Sequence, residues 1–85
     1  MKFLESIINM KLNSIRPDEL LGMAGQYGIK LTFEEAQAVS MELRGKNYNL
    51  FNPDQRAYVV NKIAGIIGSE RALQIESLFL SMTGR

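Results

Sequence analysis

Residues 31–45, LTFEEAQAVSMELRG, contain the beginning, the buried face and the end of one helix. Thr32 is followed at the third position by Glu35, a capping box in which the hydroxyl and the carboxylate each accept a hydrogen bond from an otherwise unpaired amide. Gly45 ends the pattern, because glycine readily adopts the left-handed conformation found after helices. The stretch therefore predicts a helix over residues 33–44.

Start and stop signals of the same kind recur along the chain. Pro17 suits a first helical position, with acidic residues behind it at the positive end of the helix dipole, and Gly28 is the expected stop. Asn52 caps a helix that begins with a proline, and Gly68 ends it before the Ser69 cap of the last helix. The predicted helices cover residues 2–13, 17–27, 33–44, 53–67 and 70–83.

Each predicted helix carries apolar residues at helical spacing, which indicates the side that faces a common core. The residues expected to be buried are Leu4, Ile7, Ile8, Leu12 and Ile15 in the first helix, Leu20, Met23, Ala24 and Tyr27 in the second, Ala36, Val39 and Leu43 in the third, Ala57, Val60, Ile63, Ala64 and Ile67 in the fourth, and Ala72, Ile75, Phe79 and Met82 in the fifth. No segment shows the alternation of a strand or the turn of a hairpin. We therefore predict an all-α fold, a compact bundle of about five short helices forming a single domain over residues 1–85.

Two similar segments raise the question of an internal repeat. Residues 15–19, IRPDE, and residues 51–55, FNPDQ, are each followed by a glycine stop and a Thr or Ser cap. Two tandem helical hairpins after an N-terminal helix would produce this similarity. The residues that are generally preferred at helix N-termini would produce it as well. Both explanations remain open.

Gly22 and Gly25 fall inside the second predicted helix. Each glycine there costs about 1 kcal/mol relative to alanine. We expect the close approach of another helix backbone to compensate for that cost.

The residue types that the chain lacks exclude several functions. There is no cysteine and no histidine, which excludes disulfides, thiolate and imidazole metal sites, thiol nucleophiles and Ser-His-Asp triads. We therefore expect no catalytic activity, no cofactor and no metal. No apolar run approaches the roughly 20 residues of a membrane span, and the N-terminus lacks the pattern of a signal peptide. A cytoplasmic location without a membrane partner is the expectation.

The connection in residues 43–56, LRGKNYNLFNPDQR, is the first candidate site. Arg44 and Lys46 are cations that can neutralise phosphates, Tyr48 can stack on a base, and Asn47 can hydrogen-bond to a base edge. This combination suggests a contact to single-stranded nucleic acid. The alternatives are a protein contact and a plain connector between two helices, because asparagine and glycine are common in turns.

A second candidate surface consists of apolar residues beside the predicted core stripes. Leu73 and Leu80 lie off the stripe of the last helix, so that helix is either central or covered by another subunit. Met41 lies one helical turn from Ala38, beside the stripe of the third helix. Because methionine is flexible and polarisable, Met41 suits core filling and is also the candidate for an adaptable helix-contact surface.

The segments LNSIRPDELLGMAGQYGIKLTFEEAQAV, residues 12–39, and LRGKNYNLFN, residues 43–52, resemble the YqfT-like small helical proteins of Bacillus-type bacteria, the domain of unknown function 2624 family. The resemblance extends from about residue 11 to residue 79 and includes the Arg44 to Asn47 stretch. It implies a bacterial cytoplasmic protein and supplies no catalytic residues. The family pattern has Ser or Thr before the proline where this chain has Arg16, which implies a weaker cap on the second helix.

These observations favour a non-catalytic protein–protein interaction module, with an unidentified protein or a second copy of the chain as the partner. Packing of the last helix and of the Met41 line against that partner would be the mechanism. The alternative is a weak binder of single-stranded nucleic acid that uses the loop from Arg44 to Tyr48.

Overall fold

Secondary structure is entirely helical in the computed structural model, which describes residues 2–81. In that range the helices are α1 Lys2–Asn13, α2 Pro17–Gln26, α3 Phe33–Leu43, α4 Pro53–Ile67 and α5 Ser69–Ser81. The predicted all-α bundle of five helices is confirmed, and the observed ends differ from the predicted ones by about a residue. The predicted end of the last helix and its stripe residue Met82 lie outside the described residues.

The helix starts follow from local capping. The amide of Glu35 donates to Thr32 Oγ1 at 3.0 Å, and the amide of Thr32 donates to Glu35 Oε1 at 3.0 Å. Asn52 Oδ1 accepts from the amides of Asp54 and Gln55 at 3.0 and 3.1 Å. Both predicted caps are therefore formed.

The start of α2 is capped less completely. The backbone amide of Arg16 donates to Glu19 Oε1 at 3.1 Å, which is one half of a capping box. The Arg16 side chain makes no cap hydrogen bond, because a guanidinium group has no acceptor. This is the weaker cap expected from an arginine at this position.

The helices form two pairs of sequence neighbours that meet through the middle of the chain. α2 packs on α3 and α4 packs on α5, while α3 also packs on α4 and α1 packs on α3. The arrangement matches the picture of two tandem hairpins behind an N-terminal helix. The largest side chains of the shared core are Ile15, Leu20, Val39, Leu43, Leu50, Val59, Ile63, Ile75, Leu78 and Phe79.

The predicted buried faces are correct for α3 and are shifted on other helices. In α4 the buried residue of the first turns is Val59, whereas Ala57 is exposed. In α5 Leu78 joins the predicted stripe, and in α2 Tyr27 is exposed. Leu4 and Ile7 of α1 are 38% and 46% exposed, although their spacing fits the core stripe.

The expectation of a helix packed closely against the α2 glycines is wrong. A methyl group added at Gly22 or Gly25 would meet no atom within 4 Å, and both positions are exposed. No other helix of the described residues therefore approaches these positions closely enough to compensate for their low helix propensity.

Candidate functional site

The loop after α3 is held against α1 by two asparagines of that helix. The backbone carbonyl of Asn13 accepts from the amide of Gly45 at 2.9 Å. The side-chain oxygen of Asn13 accepts from the amide of Asn47 at 2.8 Å. Gly45 and Asn47 both have positive φ, 74° and 54°, the left-handed conformation that is common in tight turns.

Asn9, one helical turn earlier on α1, secures the second half of the loop. Its Oδ1 accepts from the amide of buried Leu50 at 3.1 Å, and its Nδ2 donates to Asn49 Oδ1 at 3.0 Å. Asn49 also accepts from the amide of Phe51 at 3.1 Å, and its own amide donates to Gln55 Oε1 at 2.8 Å. The backbone of the loop is thus fixed by side-chain amides, which supports its role as a structural connector.

The cations of the loop differ in how far they are neutralised. Arg56 Nε lies 3.2 Å from Glu76 Oε2, and Arg56 Nη1 donates to the Leu50 carbonyl at 3.4 Å. Lys46 Nζ lies 3.8 Å from Glu42 Oε1 and donates to the Glu42 carbonyl at 3.3 Å. Arg44 is exposed, and its side chain forms no hydrogen bond or ion pair with the described residues. Only part of the expected positive charge is therefore available to a ligand.

Tyr48 belongs to a row in which two aromatic rings lie between two lysines. Its ring centroid lies 6.1 Å from that of Tyr58, with the planes tilted by 54°. Lys46 Nζ lies 6.0 Å from the Tyr48 centroid, and Lys62 Nζ lies 5.4 Å from the Tyr58 centroid. Sequence reasoning missed Tyr58 and Lys62, although their spacing on α4 places them on one helix face.

A cleft of about 280 Å³ lies between α1 and the loop. It is lined by Asn9, Met10, Asn13, Asn47, Tyr48 and Asn49. Its volume is at the lower limit of small-molecule sites. Among residues 2–81, no three His, Cys, Asp or Glu side chains are grouped so that they could hold a metal ion.

The side of α1 that faces away from the core is apolar. Phe3, Ile7 and Met10 are 72%, 46% and 71% exposed, and they follow one another at helical spacing. We call these three residues the α1 outer face. The opposite side of the helix buries Ile8 and Leu12 in the core.

Met41 is an exposed apolar residue of α3. Its side chain is 67% exposed, and it lines a second cleft of about 500 Å³ with Asn13, Ser14, Arg44 and Gly45. Leu73 is also exposed, but it lies with half-buried Leu80 on α5, whose main packing partner is α4. Met41 therefore belongs with α1 rather than with the α5 residues that were grouped with it from the sequence.

Sequence reasoning missed the α1 outer face because it assigned one apolar stripe to this helix. Two stripes are present. Phe3, Ile7 and Met10 recur at four-residue and three-residue spacing beside the core stripe that contains Ile8 and Leu12. A helix that is apolar on two sides was the available signal.

The most strongly perturbed carboxyl group lies away from both surfaces. Arg71 donates to Glu35 Oε1 at 2.8 Å and to Oε2 at 2.6 Å, and it also donates to the Lys30 carbonyl at 2.8 Å. The hydrogen bonds from Arg71, and then that from the Thr32 amide, lower the pKa of Glu35 to about 2. A hydrogen bond from Lys11 lowers the pKa of Glu19 in the same direction. Because Glu35 ties the start of α3 to α5, its role is structural.

Comparison with known proteins gives the chain a family. The sequence matches the family model described as "Protein of unknown function (DUF2624)" over residues 1–83. The chain belongs to the DUF2624 family. The chain is also similar to "Uncharacterized protein YqfT" of Bacillus subtilis (strain 168), to which it is 37% identical over 79 residues, which cover 93% of this chain and 94% of that protein. No solved structure matches the chain.

The DUF2624 assignment confirms the resemblance carried by the α2 to α3 segment and by the loop that follows. It covers both candidate surfaces, the α1 outer face and the Arg44 to Tyr48 loop. Within residues 2–81, no helix of this DUF2624 member has the length and apolar character needed to cross a bilayer.

Proposed function

We propose that the chain is a non-catalytic cytoplasmic protein-interaction module that binds its partner through the α1 outer face. The observation that carries the proposal is the exposure of Phe3, Ile7 and Met10 in one row on a helix that is already anchored by its other side. Contiguous exposed apolar patches on small proteins commonly mark interaction sites.

The form of the patch indicates how a partner would bind. Apolar anchors spaced at four and three residues along one helix face are the pattern read by a groove or by another helix. α1 is well positioned to present them. The side chains of Asn9 and Asn13 bind the loop, so the helix cannot turn its outer face inward without breaking those hydrogen bonds.

Two observations support a non-catalytic role. The chain has no histidine or cysteine to act as a base or nucleophile near neutral pH. The carboxyl group with the most strongly lowered pKa, Glu35, accepts hydrogen bonds from Arg71 and from the Thr32 amide. These contacts hold the helices together.

Photocrosslinking in the cells that produce the protein tests the proposal. Benzoylphenylalanine is placed at Phe3 or at Met10, and in matched controls at the exposed residues Gln37 and Gln74. We expect adducts of defined mass from the α1 positions and not from the controls. Crosslinking that is equal at all four positions, or absent at the α1 positions, would refute the proposal.

A second candidate function is weak binding of single-stranded nucleic acid. The observation that favours it is the row of two neighbouring rings, Tyr48 and Tyr58, with a lysine beside each. Stacked rings with nearby cations are typical of surfaces that bind single strands. Against it stands the small number of cations, since strong binders make roughly six to ten phosphate contacts.

Fluorescence anisotropy of labelled oligonucleotides distinguishes this second function. The wild type is compared with the Arg44→Ala/Lys46→Ala double variant at two salt concentrations. Binding that weakens with salt and drops in the variant would support the nucleic-acid role. No binding of single or double strands at low salt would exclude it.

A further inference from the structure

We infer that the partner covering the α1 outer face is a second copy of this chain, whose α1 lies antiparallel across a two-fold axis near Ile7. The inference rests on the proposed function, because it names the occupant of the same surface. It is carried by the symmetry of the patch, by its lack of charge and by its area.

The spacing of the patch is close to symmetric about Ile7. Phe3 lies four residues before Ile7 and Met10 lies three residues after it. On an antiparallel neighbour, the Phe3 ring of one copy therefore meets the Met10 side chain of the other, while the two Ile7 side chains meet at the axis. Contacts between a methionine sulfur and an aromatic ring are favourable, and a spacing of four and three is that of a coiled-coil seam.

A cleft beside α1 provides room for this arrangement. Met10 lines the cleft of about 280 Å³ together with Tyr48. The antiparallel copy would place its N-terminal aromatic ring at this cleft, and the two-fold axis repeats the same contact at the other end of the seam.

The charge distribution favours a second copy. Residues of the α1 outer face are uncharged, and the neighbouring Ser6 and Ser14 are uncharged as well. Lys11, which follows Met10, is paired with Glu19 of the same chain. A two-fold axis brings identical residues together, so a patch without charge avoids the like-charge repulsion that opposes self-association.

The area of the patch predicts a weak dimer. Phe3, Ile7 and Met10 expose together roughly 400 Å² of side-chain surface per copy, taking about 200 Å² for a phenylalanine and slightly less for the others. Standard protein interfaces bury about 800 Å² per partner, so this contact belongs to the small and transient class. We expect a dissociation constant of about 10 to 100 µM.

Sedimentation analysis over about 5 to 500 µM protein tests self-association directly. We expect the wild type to change from monomer to dimer over this range. Ile7→Glu places two carboxylates at the axis and should weaken the dimer by roughly tenfold or more. Phe33→Glu is the matched control, because Phe33 is an exposed apolar residue at the opposite end of α3 from Met41.

A crosslinking experiment tests the orientation. The chain has no cysteine, so Phe3→Cys and Met10→Cys can be prepared separately, mixed and treated with a short bismaleimide. Antiparallel pairing predicts that the mixed product exceeds either product formed between identical variants. An excess of the identical-variant products would indicate parallel helices and would overturn the two-fold arrangement.

The outcomes separate this inference from the proposed function. A wild type that stays monomeric at the highest concentration, or Ile7→Glu that dimerises like the wild type, overturns the inference. If the photocrosslinks at Phe3 and Met10 then contain a different protein, the interaction module remains and its partner is not a second copy. If no adduct forms at those positions, both proposals fail. Circular dichroism establishes that each variant is folded before its association is compared.

Discussion

Replacing Gly22 in α2 or Gly65 in α4 by alanine should stabilise the protein. Both glycines lie inside helices, and a methyl group built at either position meets no atom within 4 Å. Glycine inside a helix is less favourable than alanine by about 0.8 to 1 kcal/mol. Because the added methyl group causes no steric clash, each substitution should raise the free energy of unfolding by about 0.5 to 1 kcal/mol.

The same substitution at Gly68 should have the opposite effect. Gly68 follows α4 with φ 90° and ψ 156°, a region that is essentially restricted to glycine. Its added methyl group also meets no atom within 4 Å, so space does not distinguish it from Gly22 and Gly65. Gly68→Ala should lower the free energy of unfolding by about 1 to 3 kcal/mol, because of backbone conformation alone.

Urea unfolding followed by far-ultraviolet circular dichroism measures these changes. The midpoint should shift without a change in slope, and the apparent melting temperature should move by about 4 to 8 °C per kcal/mol for a domain of this size. Gly22 and Gly65 lie on different helices, so their effects should add in the double variant. A loss of stability in Gly22→Ala would show that another backbone does cover α2 and would refute the reasoning, as would a neutral Gly68→Ala.

Three further outcomes follow from the contacts between helices. Folding lowers the pKa of Glu35 from 4.5 to about 2, so its contribution to stability is complete above pH 4.5 and is lost as the pH falls toward 2. Arg71→Gln should flatten that part of the stability curve measured by urea titration at each pH, and an unchanged curve would contradict the assignment. Asn9→Ala should cost about 1 to 3 kcal/mol because the buried amide of Leu50 loses its acceptor. The exposed Ser6→Ala is its control and should stay within about 0.5 kcal/mol in the same titration. Thr32→Ala should cost about 1 kcal/mol by removing the cap of α3, and a Thr32→Ser variant that does no better than alanine would argue against the cap.

Helix positions could be predicted because the responsible contacts are local. The box formed by Thr32 and Glu35 and the cap at Asn52 each join residues within one turn. Gly45 and Gly68 end helices through their own backbone conformation. None of these signals depends on where the rest of the chain lies.

The candidate surfaces could be predicted only in part. Arg44, Lys46, Asn47 and Tyr48 were recognisable as a group because they are adjacent in the sequence. The residues that contact them in the fold could not be recognised, because Tyr48 contacts Tyr58 and α1 holds the backbone of the loop. The sequence left Met41 open between core filling and a contact surface, whereas in the fold its side chain is exposed and lies beside Asn13, the last residue of α1.

By itself, the sequence determined the number of helices, their ends and the absence of thiol and imidazole chemistry, because these depend on residue type and short-range capping. The tertiary structure decided which apolar side of α1 is buried and which is left for a partner, since Ile8 and Ile7 are adjacent and both are apolar. It also decided that Glu35 meets Arg71 across 36 residues and that Asn9 meets Leu50 across 41. Spacing along a helix specifies which residues share a side, and only the packing of the other helices selects the side that loses contact with water.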